Sequence, residues 1–485
     1  MESASTVPPE TTADSRPSLF EVDWRDRAVF GQGLVSSQQA VLNQLPGATV
    51  YHLDMAISSD LLRVTGQQAV HYTNREEEPL AEIYFRLFPN AAGGKTAVSN
   101  VMVNDRPVEP VVEFEDTALR VPLSQPLRPG ATVDIRLDFV VDVPQEMAGN
   151  YGLFGFYEGI LVLDQFYPTI PVYDDEGWNV EAPPPNADLS YNDAGFYLVR
   201  VAAPDNLTVL ASGIEVGRET RNGEQIVTFA AGPARDFYLV AGNNYTMMSE
   251  TVGETTINSY AWPEYTEHAQ LALQVAANSL RSFNERFGPY PYSQFDVVST
   301  PMQALGIEYP GLTGISLALY DPTQEIAGLP SRVLLESTVA HEVAHQWFYN
   351  TIGNDQVDEP WLDEALAQYA TWLYYVDGYG EGAAQSYVNS WESRWGRVDQ
   401  ADIPIGLPAG EYQGREYGAI VYGRGPLFIA ALAQEMGQET FDEFLRNYAQ
   451  TYQWKIATGE SFKQLAEEYC RCNLTPLFAE WVYPQ

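Results

Sequence analysis

At 485 residues, 45% of them hydrophobic and 13% aromatic, the chain is long enough for two or three domains and too apolar to be disordered. Its 65 acidic residues against 26 basic ones give a net charge of −39, which excludes nucleic acid and anionic lipid as main partners by simple repulsion. The same charge either favours cationic ligands, such as the free amino terminus of a peptide, or serves solubility alone.

Residues 1–46, rich in Ser, Thr, Pro and Gln, read as a polar tail with one short helix around Val35–Leu45. The first six residues have no basic or apolar stretch, so they are not a signal peptide but resemble the polar stalk that follows a removed one. No apolar run reaches transmembrane length. Low lysine, high acid and many aromatics favour an extracellular or cell-envelope location over a cytoplasmic one. From 47 to 247 the pattern is that of an all-β domain. Tyr51, Leu53, Met55 and Ile57 alternate with His52, Asp54 and Ala56, the period of a half-buried strand. Asn222-Gly223 between two β-type runs predicts a hairpin. Phe196–Val201 and Phe237–Ala241 are further strands, and a sandwich is the expected arrangement.

The pattern then turns helical, over residues 248–485. Glu267–Phe287 is a helix stopped by Gly288-Pro289, and Phe295–Ser299 a short strand. Two amphipathic helices follow, Ser331–Asn350 and Pro360–Val376, and more helices from about Tyr422 onward. The predicted fold class is therefore α+β and multidomain. Cys470 and Cys472, one residue apart, are expected to be unpaired structural cysteines, because a disulfide at that spacing is strained.

Chemistry concentrates at His341-Glu342-Val343-Ala344-His345. Residues four apart share one helix face, so both imidazoles can reach one zinc ion. Glu342 points beside the metal, where it can take a proton from the attacking water and pass it to the leaving amine. H-E-x-x-H alone is short enough to arise by chance. A third ligand is required, and Glu364 follows His345 after eighteen residues, on the next helix. Three protein ligands leave one open position, as a catalytic zinc requires.

With its flanks Trp347-Phe348 and Trp361-Leu362-x-Glu364, this pattern resembles the gluzincin zinc aminopeptidases, the group of aminopeptidase N and leukotriene hydrolase. Leu305-Gly306-Ile307-Glu308-Tyr309 is similar to their G-x-M-E-N motif and Tyr422-Gly423-Arg424-Gly425 to their Y-x-K-G motif. The resemblance implies a sandwich-like β domain before a mostly helical, thermolysin-like catalytic domain with one catalytic Zn2+. It implies Glu308 as the carboxylate that binds the substrate α-amine and Tyr422 as donor to the developing oxyanion, with Tyr417 a weaker candidate. Gln165, from the β domain, is implied near the same amine. The substrates implied are peptides with a free amino terminus; oligomeric state is not legible.

The chain departs from the pattern in several places. Tyr309 stands for Asn and is expected to reshape the first subsite. Tyr349 stands for the usual Gly before Asn350, and Arg424 for Lys, keeping the charge. The chain ends soon after the expected last catalytic helices, implying a short form without the large helical carboxy-terminal domain and with a more open cleft. An endopeptidase on the same scaffold, or an inactive peptide-binding homologue, are the alternatives.

Overall fold

A computed structural model describes residues 18–147, 149–181, 184 and 191–483. The amino-terminal half is built from β-strands. An eight-stranded sheet runs in the order Ile214–Arg221, Glu224–Ala234, Gly195–Pro204, Val50–Ile57, Arg63–Thr73, Thr132–Asp142, Lys95–Val103, Arg106–Pro107. All its pairings are antiparallel except Val50–Ile57 against Gly195–Pro204. A three-stranded sheet (Leu80–Arg86, Ala118–Leu127, Val111–Glu113) and a four-stranded one (Thr208–Ala211, Leu239–Gly242, Ile160–Leu163, Phe154–Tyr157) pack on it. One core joins all three: Leu53 and Val199 from the large sheet, Ile83 and Val121 from the second, Leu161 and Leu239 from the third. The expected hairpin is present, with Asn222 and Gly223 at φ 55° and 84°, the left-handed pair that such a turn requires.

The segment before the first strand differs from a simple tail. Residues 1–17 lie outside the described residues, but Leu19 and Phe30 pack with Val50, Phe196 and Leu198 on the outer face of the large sheet. Trp24 stacks on His52 and the Arg27 guanidinium lies 3.8 Å above the Phe196 ring. The strand is therefore covered on both faces, which period-two alternation does not predict. Where a helix is expected, Ser36–Asn43 forms 3-10 turns.

From Thr246 the chain builds a five-stranded sheet, Thr246–Val252, Thr255–Ala261, Gln294–Thr300, Leu312–Ser316 and Gly306–Tyr309, with the helices against it. Helix Thr266–Phe287 matches expectation, whereas the helix that starts at Ser331 ends at Ala344 rather than Asn350. The last helical carbonyls are taken by the turn that follows, Ala344 O accepting from the Trp347 (3.0 Å) and Phe348 (3.1 Å) N–H groups, and the loop beyond is held from the other half. Arg235 of the β half, fully buried, donates to the carbonyls of Tyr349 (2.7 Å) and Asn350 (3.0 Å). Tyr349 takes φ +132°, the region glycine favours, and its hydroxyl bonds Asp236 of the β half.

Helix Trp361–Tyr379 is buried along most of its length and runs through the centre of the carboxy-terminal half. Helix Glu381–Trp395 flanks it, then helices Gly425–Met436, Gln438–Thr451, Gly459–Cys470 and Thr475–Trp481. The cysteine expectation is corrected: Cys470 and Cys472 form a disulfide. Arg471 between them is left-handed (φ 52°), which turns the chain at the helix end and brings the two Cα atoms to 5.1 Å. No helix among the described residues is long and apolar enough to cross a membrane.

Candidate active site

Helix Ser331–Ala344 buries Leu335, Val339 and Val343 in the core, which turns Thr338, His341 and Glu342 to a cleft of about 940 Å³. His345 caps the helix end, one turn beyond His341. Their Nε2 atoms stand 3.1 Å apart. Glu364, in the first turn of helix Trp361–Tyr379, places Oε2 at 3.1 Å from His341 Nε2 and 3.6 Å from His345 Nε2. Donors at about 2.1 Å from a tetrahedral zinc lie roughly 3.4 Å from one another, so the three atoms already outline a metal site.

The surroundings support that fit. His345 Nδ1 donates to the Phe348 carbonyl (2.9 Å), which leaves Nε2 as a lone-pair donor. Burial disfavours a charged His345, yet Glu308 and Glu364 raise its pKa well above the ordinary value. The pocket thus asks for positive charge, and a divalent ion held by His341, His345 and Glu364 supplies it. A second cluster, Glu308, Glu342 and His345, shares one imidazole with the first. It is the poorer cage, because it has a single imidazole and Glu308 already accepts from Gln356.

Glu342 is buried, and its Oε2 has no hydrogen-bond partner. Burial, then the Glu308 carboxylate, push its pKa well above the carboxylate range. Such a group is a candidate proton carrier. A Cβ at Gly306 would lie 2.4 Å from Glu342 Oε1, so the carboxylate rests directly against this backbone.

Glu308 lies on the edge strand Gly306–Tyr309, buried beside Glu342 and His345. Its Oε1 accepts from Gln356 Nε2 (3.0 Å), which also donates to Asp363 Oδ2 (2.7 Å). Asp363 Oδ1 in turn accepts the Glu364 N–H (2.8 Å). Gln346, next to His345, pins the strand from below by donating to the Tyr309 carbonyl (2.9 Å) and accepting from Gly311 N–H (3.0 Å). Tyr309 does not shape the cleft; it is buried, stacked on Tyr238 at 3.8 Å.

Tyr422 sits in a π-helical turn, Ile420–Arg424, a geometry frequent at functional sites. Its hydroxyl donates to Glu364 Oε1 (2.6 Å), and Tyr417 packs edge-on to it. The glycines of the motif allow close approach. A Cβ at Gly423 would lie 2.8 Å from Trp395 N, and one at Gly425 3.0 Å from Ala365 Cβ. Arg424 keeps its charge but points away from the cleft, donating to the Ile403 and Trp481 carbonyls (both 2.9 Å). Gln165 is buried with φ 39° beyond strand Ile160–Leu163 and is not among the cleft-lining residues. Burial, then Asp236 and Glu308, push the adjacent Asp164 carboxyl well up, so this loop approaches the Glu308 strand.

Sequence reasoning missed Gln356, Gln346 and Gln368. Gln368 presents Nε2 at 3.4 Å from His341 Nδ1, while its Oε1 accepts from Tyr387, Trp391 and Arg394. Its position four residues after Glu364, on one helix face, was the available signal.

Residues 271–481 match the model of the Peptidase family M1 domain. Aminopeptidase M1-B of Oryza sativa subsp. japonica is 26% identical over 82% of this chain and 46% of its own length. Endoplasmic reticulum aminopeptidase 1 of Mus musculus is 24% identical over 74% of this chain and 39% of its own. The chain thus spans less than half the length of these curated relatives. The crystal structure of an M1 zinc metallopeptidase from Deinococcus radiodurans superposes with a TM-score of 0.65 at 21% identity, covering 90% of this chain and 92% of that one. The fold of a β half followed by a helical catalytic half is shared with it. The His341, His345 and Glu364 cluster lies inside the matched domain and fits one zinc ion.

Proposed function

We propose that the chain, whose residues 271–481 match the Peptidase family M1 domain, is a zinc-dependent aminopeptidase acting on peptides with a free amino terminus. The observation that carries this reading is the placement of Glu308. A buried carboxylate stands beside Glu342 and His345, at the edge of the metal cluster. A peptide ammonium held there puts the first peptide bond, and no later one, at the reacting centre.

When bound, zinc polarises the scissile carbonyl and lowers the pKa of the attacking water. Glu342 takes the proton from that water and delivers it to the leaving amine, a role matched by its raised pKa and its unpartnered oxygen. Tyr422 moves its hydroxyl hydrogen bond from Glu364 Oε1 to the developing oxyanion. Glu308, held by Gln356, fixes the register. Gln165 is proposed to support the amine site through the loop it shares with Asp164. An oxidising location outside the cytoplasm is part of the proposal, supported by the Cys470–Cys472 disulfide.

The test compares one peptide with its amino-terminally acetylated form. Acetylation removes the charge that Glu308 binds and is expected to abolish cleavage; equal rates would reject the exopeptidase reading in favour of an endopeptidase. Glu342→Gln is expected to retain zinc and lose about a hundred- to ten-thousand-fold in kcat. Turnover near wild type in that variant would remove Glu342 from its role.

A further inference from the structure

The cleft carries both signs of charge: Glu308, Glu342 and Glu364 line it together with Arg394, Arg397 and Arg415. This is unexpected in a chain with 65 acidic and 26 basic residues. Many arginines elsewhere pair with carboxylates, as Arg286 does with Asp377 (2.6 Å) and Arg120 with Glu113 (2.9 Å), while others, such as Arg235 and Arg446, donate to carbonyls. Among the described residues, none of the three cleft arginines forms such a pair.

Their supports are distinct. Arg394, half-buried in the last turn of helix Glu381–Trp395, is held by Nη1 donation to Gln368 Oε1 (3.0 Å) and the Tyr422 carbonyl (3.2 Å). Arg397 lies in the turn Gly396–Val398 and Arg415 precedes helix Glu416–Ala419, both exposed to the cleft. Three like charges around one cavity repel one another. An anion seated between them removes that cost, and guanidinium is the side chain best suited to a carboxylate.

Resting on the aminopeptidase reading, we infer that Arg394, Arg397 and Arg415 form a carboxylate subsite. The substrates it selects are short peptides whose ammonium meets Glu308 while a carboxylate meets these arginines. The carboxylate is either the chain terminus or an acidic side chain near it.

The experiment is calorimetric titration of the zinc-loaded full chain carrying Glu342→Gln, which binds without turnover. The probes are Ala-Ala-Ala, its carboxy-terminal amide, Ala-Ala-Asp amide and N-acetyl-Ala-Ala-Ala. The free acid is expected to bind at least about tenfold tighter than the amide, by a margin that shrinks with salt. Adding Arg397→Gln and Arg415→Gln is expected to bring the ratio close to one; Arg394 is left intact because it positions Gln368 and Tyr422. Recovered affinity in the aspartate amide assigns the subsite to acidic side chains, and no recovery assigns it to the chain terminus. Equal affinity of acid and amide, or a ratio unchanged by the arginine substitutions, overturns the inference. Undiminished binding of the acetylated acid would instead count against the amine site while leaving the arginine subsite standing.

Discussion

Gly306 and Glu342 are thirty-six positions apart in the chain, yet one determines where the other can stand. The missing Cβ at Gly306 leaves room for the Glu342 carboxylate, which would otherwise meet a methyl group at 2.4 Å. Glu342 is on a packed helix and cannot withdraw without moving His341 and His345 with it, so its side chain must rotate instead. Gly306→Ala is therefore expected to keep about one zinc per chain while kcat falls roughly ten- to a hundredfold, as misplacement of a reacting group does. Metal loss in step with activity would show that the methyl group disturbs the whole helix. The ligands were legible because helix periodicity converts a spacing of four into one face. Gly306 was not, because its partner approaches from another element. Tyr349 shows the same limit: a tyrosine at a position of φ +132° is strained, and its retention is explained by a hydroxyl bond to Asp236 more than a hundred residues earlier.

Among the elements, those with a clean period were legible: strand Val50–Ile57, helix Thr266–Phe287 and the Asn222-Gly223 hairpin. Misread ends and tails have a shared cause. The helix carrying His341 ends at Ala344 and the loop after it is held by Arg235 of the other half, and residues 18–49 pack by apolar contacts on a sheet that the sequence does not display. Strand Gln294–Thr300 carries a further group that local pattern misses. Asp296 is buried in the five-stranded sheet, accepting from Asn258 and Gln294 (2.8 Å each). Burial raises its pKa from the ordinary 3.8 to about 6, despite those two donors. The folded state thus holds this proton more tightly than the unfolded state, and the associated stability is lost as pH rises through 6. Between pH 5 and 8 the loss is roughly 1 kcal/mol. Asp296→Asn removes the titration, so the stability of variant relative to wild type should improve by about that amount over the same range. Denaturant melts at the two pH values check it; a flat difference would mean a solvated carboxylate, and one of opposite sign would mean that the Asn258 and Gln294 donors outweigh burial.

Across the whole molecule each half has a core of its own, and a third apolar cluster joins them, with Val162 and Tyr238 from one and Val298 and Leu312 from the other. The β half has its own interior around Leu53, Phe139, Val199 and Leu239. The catalytic half has another around Val339, Trp361, Phe428 and Phe444. Arg235 ties them, with its Nη2 also donating to the Lys455 carbonyl (2.7 Å), so one buried side chain reaches the loop after His345 and the carboxy-terminal region together. None of these contacts passes through the metal. His345 is held by the Phe348 carbonyl, Glu308 by Gln356 and Tyr422 by its π-helical turn. Removing zinc should therefore silence the protein without unfolding it. Binding to the native state alone contributes RT ln(1 + [Zn]/Kd), about 4 kcal/mol at a thousandfold excess over Kd, which is lost from the catalytic half on chelation. The expected result is full loss of turnover, an unchanged far-ultraviolet circular dichroism spectrum at 25 °C, and a calorimetric transition lowered by several degrees. Restoring zinc should recover both activity and melting temperature. Collapse of the spectrum on chelation would mean instead that the ion holds the fold, and the open coordination position required for hydrolysis would lose its support.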